Sequence, residues 1–150
     1  MGQILKRYYI IGVLFPSMIG IIATTIFSII DSVDYKSEWF TSESVIFTSI
    51  IFSIIYCAII GILSLSIFIN LFEKIRKSNV LRIFSWFLLP FGFITTVVIH
   101  EINFAIKYHS GTINSDFIFV ILLNILFILG LIFSYIKFSN KIKKWTNSQH

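Results

Sequence analysis

The stretch FIFVILLNILFILGLIF, residues 117–133, holds no charged residue and a single polar amide, Asn124. Strands compete for it, since the chain is rich in Ile, Val and Phe, but a membrane barrel strand needs only about 10 residues and alternates polar with apolar positions. This stretch does not alternate. A helix rises 1.5 Å per residue, so about 20 apolar residues cross roughly 30 Å of hydrocarbon, and a helix satisfies its own backbone where no water can. With its continuation through Ile136, the stretch predicts a transmembrane helix over 117–136.

Three further apolar runs lie upstream, at residues 8–30, 45–72 and 83–99, and charges are confined to the intervals between them. The composition agrees: 57% hydrophobic residues, 17 Phe and 13% charged residues, with a mean hydropathy of +0.91, lie outside the range of soluble domains. The expected fold is an all-α integral membrane protein, four transmembrane helices in a small antiparallel bundle. The connectors are short enough to join neighbouring helices, so residues 1–150 read as one domain. No internal repeat links the two helix pairs, which leaves an inverted-repeat carrier without support.

Orientation follows from the distribution of Lys and Arg. Ten of the 12 lie on one side: Lys6, Arg7, Lys74, Arg76, Lys77, Arg82, Lys137, Lys141, Lys143 and Lys144. Only Lys36 and Lys107 lie on the other, among six of the seven acids. The positive-inside rule then predicts both termini in the cytoplasm, in a bacterial inner membrane. The same bias accounts for the pI of 9.4 through topology and anionic lipid, so no nucleic-acid partner is expected. The basic start and apolar run of MGQILKRYYIIGVLF resemble a secretory signal, but the run is long and lacks a small-x-small site before DSVDYKSEW, which predicts a retained anchor.

Two stripes of small residues run along the first two spans. Gly12, Pro16, Gly20, Thr24 and Ser28 recur every four residues, as do Ser49, Ser53, Cys57 and Gly61. Steps of four advance about 400° on a helix, so each set forms a slowly winding seam. Such seams let helix backbones approach where lipid supplies no hydrophobic incentive. They predict a hairpin of the first two helices or, alternatively, contact with a second copy of the chain. Pro16 is expected to free the carbonyl of Gly12. Asn124, an amide at membrane depth, is expected to bind a Ser, a Thr or a backbone carbonyl of another helix.

One stretch carries more chemistry than the rest: VVIHEINFAIKYHSG, residues 97–111. A zinc protease helix needs His-Glu-x-x-His, with ligands one turn apart. Here His100 and Glu101 are followed by Phe104 in the second ligand's place, and His109 lies about 900° further round the helix. No metal, cofactor or catalytic site is expected, and neither a nucleophile elbow nor a phosphate-binding glycine loop occurs. His100, Glu101, Asn103, Lys107 and His109 are instead candidates for contact with a partner on the outer face. The expected function is non-enzymatic: helix-mediated interaction with another membrane component, by an immunity-type protein or a defence or secretion accessory protein. The layout looks like that of membrane immunity proteins, without a motif that assigns it to them. The alternative is a homo-oligomeric pore or small-solute channel lined by serines of the second span, Thr95, Thr96 and Asn124. The partners expected are thus the lipid bilayer and either another membrane protein or a second copy.

Overall fold

The computed structural model describes residues 1–32, 41–108 and 115–147. It contains four long apolar helices able to span a membrane, packed together. The first span is Gly2–Asp31, the second Ser42–Leu71; the third and fourth are the helices Asn79–Tyr108 and Ser115–Asn147. A short helix, Glu73–Lys77, joins the second and third. The integral membrane class expected from hydropathy is therefore found, with spans longer than their apolar runs. The third shows why: its helix starts four residues before Ile83 and continues past Ile99, because helix geometry does not stop where hydrophobicity does.

Local sequence explains the departures from regular helix. Pro16 has no N–H to donate and its ring crowds the turn before it. The first span absorbs this through a wide π turn at Ile10–Leu14, leading into the α-helix Phe15–Asp31. The second span starts at Thr41, whose hydroxyl accepts from the Ser44 amide at 3.3 Å, a side-chain cap for an otherwise unsatisfied donor. It ends as a 3-10 segment, Ser64–Leu71. Here the Ser64 hydroxyl donates to the Ile60 carbonyl at 2.8 Å and the Ser66 hydroxyl reaches across to the Ser85 carbonyl at 2.7 Å.

The start of the first span lies beside the end of the fourth: the rings of Tyr8 and Phe138 are 5.8 Å apart, edge to face. Arg82, at the start of the third, donates to the Ser139 hydroxyl at 3.1 Å. The basic segments on these three elements therefore gather at one end of the bundle. Leu5, Ile67, Trp86 and Phe138 fill the core there, fully buried, while Tyr56, Leu123 and Phe127 fill it further along. Ile, Leu and Phe side chains cover the outside, the inverse of a soluble bundle and the surface expected against lipid.

Candidate functional site

The seam of the first span faces inward along its whole length. Gly12, Pro16, Gly20, Thr24 and Ser28 are all buried, against both the second and the fourth spans. On the second-span side, the Thr24 and Ser53 hydroxyls are 3.0 Å apart in a hydrogen bond, Cys57 lies 3.8 Å from the Ser17 carbonyl oxygen, and the Tyr9 hydroxyl donates to the Gly61 carbonyl at 2.8 Å. The Ser53 hydroxyl also donates to the Ser49 carbonyl at 2.8 Å. On the fourth-span side, a Cβ at Gly12 would meet Ser134 Oγ at 2.6 Å and its Cβ at 2.7 Å. A Cβ at Gly130 would overlap the Pro16 ring and lie 3.1 Å from the Gly12 carbonyl oxygen. Gly12 and Gly130 are thus the points where two backbones meet. The Gly12 carbonyl, which Pro16 cannot engage, is turned toward that contact.

Asn124 is buried and sits between helices, with a partner of a different kind from those expected. Its carbonyl oxygen accepts from the Tyr56 hydroxyl at 2.9 Å, and its amide donates to Val120 within its own helix at 2.7 Å. Tyrosine escaped the sequence reading because its ring counts as apolar, although its hydroxyl needs a partner when buried. Arg82 was missed for the opposite reason. Counted as a charge at the membrane edge, it is 2% exposed and donates to the Arg76 carbonyl at 2.9 Å, to the Asn79 side chain and to Ser139. Nearby, the Asn70 amide donates to Ser85 Oγ at 2.6 Å.

The candidates at the far end lie on the third helix. His100 is exposed, and its Nδ1 lies 3.7 Å from a carboxylate oxygen of the half-buried Glu101. Asn103 and Lys107 are exposed, whereas His109 lies outside the described residues. Among the described residues no three His, Cys, Asp or Glu side chains converge as a metal site would require.

This helix also carries a face that no motif announced. At about 100° per residue, Gly92, Thr96, His100, Asn103 and Lys107 fall within a sector of roughly 80°. Each is exposed, and a Cβ at Gly92 would meet nothing within 4 Å. Seven residues earlier, Ser85 on the same sector is buried beneath Ser66 and Asn70 of the second span. The cover therefore ends between Ser85 and Gly92, and the third span is the least buried of the four. Spacing could have revealed Gly92–Thr96 and Gly130–Ser134, since both are pairs of small residues four apart.

The chain matches no protein-family model, no curated protein and no solved structure. Its functional reading rests on its own residues.

Proposed function

We propose that the chain is a non-enzymatic interaction protein that binds a helix of another membrane protein on the uncovered face of its third span, as an immunity-type or accessory protein would. The observation that carries this reading is the emptiness around Gly92. Glycine inside a helix costs about 1 kcal/mol relative to alanine, and at Gly12 and Gly130 close backbone packing offsets that cost. At Gly92 nothing among the described residues does. Thr96 beside it has its hydroxyl satisfied by the Gly92 carbonyl at 2.9 Å, which leaves a small, smooth surface suited to backbone approach. His100 and Asn103 continue it to the membrane edge, where polar groups can add specificity.

The positive-inside count supports an orientation in which this edge lies outside the cytoplasmic membrane of a bacterium, with both termini inside. A partner would then be read from the outer leaflet, the side from which a membrane-active toxin arrives. The pore reading is less well supported, because Ser53 and Asn124 are engaged within one chain.

The test is a photo-cross-linking amino acid at Thr96, with Ile54 on the second span as a lipid-facing control. The proposal requires an adduct with one membrane protein at Thr96, absent at Ile54, lost on Gly92→Leu and regenerated when the identified protein is co-expressed. An adduct of two copies of this chain would transfer the face to a homo-oligomer. Lipid adducts alone would refute a docking role.

A further inference from the structure

The basic end of the bundle holds a cleft of about 490 Å³ between the first and fourth spans, within the usual range for a small-molecule site. Its polar lining comes from Gln3 and Arg7 of one helix and from Lys137 and Lys141 of the other; its apolar lining includes Ile11 and Phe133, both exposed on the outside of the bundle. The pattern follows helical spacing. Positions 3, 7 and 11 form one column, and 133, 137 and 141 form another. Each column therefore runs from polar at the chain terminus to apolar toward the membrane interior.

Among the described residues, no carboxylate lines this cleft. Glu73, the one acid in the basic segments, is 2.7 Å from Lys77 in the short connecting helix, which holds its carboxyl below the usual range. The Lys137 ammonium lies 4.5 Å from the Phe133 ring centroid, a contact that does not neutralise its charge. The cleft floor supplies a second, independent observation. Ser134 is fully buried there, and its hydroxyl has no hydrogen-bond partner. Ser53, Ser64 and Thr96 each donate to the carbonyl four residues back, the ordinary resolution for a hydroxyl in a membrane helix. Ser134 does not.

We infer that this cleft is a binding site for an anionic phospholipid. The phosphate sits among Arg7, Lys137 and Lys141, a headgroup hydroxyl or oxygen reaches Ser134, and an acyl chain lies along Ile11 and Phe133. Three cations without an acid select a phosphate-bearing group, and Arg suits it through its forked donors. The exposed apolar side chains that continue both columns toward the membrane interior, Ile11 and Phe133, select a lipid over a soluble anion, which would make no use of them. Basic pockets between spans on the cytoplasmic side are a recurrent form of such recognition.

The experiment uses the full chain, delipidated in neutral detergent and titrated with phosphatidylglycerol or phosphatidylcholine while bound lipid is counted by native mass spectrometry. Glycerol 3-phosphate and inorganic phosphate serve as competitors. Wild type should retain phosphatidylglycerol in preference to phosphatidylcholine. Each cation removed should weaken retention roughly fivefold, and R7Q/K137Q/K141Q together on the order of a hundredfold. K74Q/K77Q/K144Q, which removes the same charge outside the cleft, should bind like the parent. Equal losses in the two triple variants would reduce the effect to general surface charge and overturn the proposal, as would equal binding of both lipids. Displacement of lipid by millimolar glycerol 3-phosphate or phosphate would overturn it in favour of a soluble-anion site. If the first triple variant does not fold, K141Q alone, on a side chain near the helix terminus, must still show the fivefold loss.

Discussion

Replacing Gly130 by alanine tests the packing account most directly. The added methyl would overlap the Pro16 ring and lie 3.1 Å from the Gly12 carbonyl oxygen. A proline ring is tied to the backbone at both ends, and a carbonyl belongs to it outright, so neither can rotate away. The first and fourth helices must separate. Overpacking of this kind costs about 1–3 kcal/mol, opposed by about 1 kcal/mol from alanine's better helix propensity. The expected net loss is up to about 2 kcal/mol, up to roughly a 30-fold fall in the ratio of folded to unfolded protein.

Gly20→Ala is the matched control. A Cβ there would lie 3.6 Å from Leu123 Cδ2, an ordinary van der Waals contact, so the propensity gain should survive and stability should hold or rise by up to about 1 kcal/mol. Both variants would be unfolded reversibly in mixed micelles by increasing the SDS fraction, with helix content and fluorescence as readouts. The two glycines share a helical environment and differ in what stands opposite them. If Gly130→Ala proves as stable as Gly20→Ala, the close approach of Gly12, Pro16 and Gly130 does not exist in the membrane.

In the same assay, Tyr56→Phe and Asn124→Leu, singly and together, should give a coupling of about 0.5–2 kcal/mol; additive losses would mean that the 2.9 Å hydrogen bond contributes nothing. Arg82→Lys keeps the charge but loses the fork that spans the Arg76 carbonyl and Ser139, so stability should fall by about 1–3 kcal/mol, and an unchanged midpoint would remove the buried guanidinium from the account. A reporter after His150 should report cytoplasm and one near Lys36 the outside; the reverse at either site would break the orientation. His100→Ala and Glu101→Ala should leave folding intact, since both lie near a membrane edge where water can replace lost hydrogen bonds. Elemental analysis showing one zinc per chain, lost on His100→Ala, would instead establish a metal centre.

Hydropathy made the four spans legible because crossing a membrane imposes a length and a polarity that no other constraint mimics. It set their ends poorly, since a helix continues past its apolar run wherever its side chains reach water, as the third does to Tyr108. The stripe of the first span was legible by period. What it faces was not, because a helical period fixes which residues share a side and leaves open which neighbour that side meets. Gly12 faces Ser134 and Gly130 of the fourth span, and Thr24 faces Ser53 of the second, so one stripe serves two partners at different depths. Tyr56, Arg82 and Ser134 were hidden by residue class: a ring counted as apolar, a cation assigned to water and a serine among many.

Glycine shows how structure adds to sequence here. Gly12, Gly20, Gly61, Gly92 and Gly130 look alike as letters in apolar runs, and all carry the same helical penalty. Four have a neighbour within van der Waals reach of the missing Cβ; Gly92 has none. A glycine facing lipid gains nothing from its small size, since lipid tails accommodate a methyl as readily as its absence. The stripes at the first and second spans therefore belong to the architecture of one chain. The unfilled position on the third is the one that the proposed function gives to a partner. The two roles separate by mutation: bulk at Gly130 should destabilise the protein, whereas bulk at Gly92 should leave it folded and abolish only the proposed association.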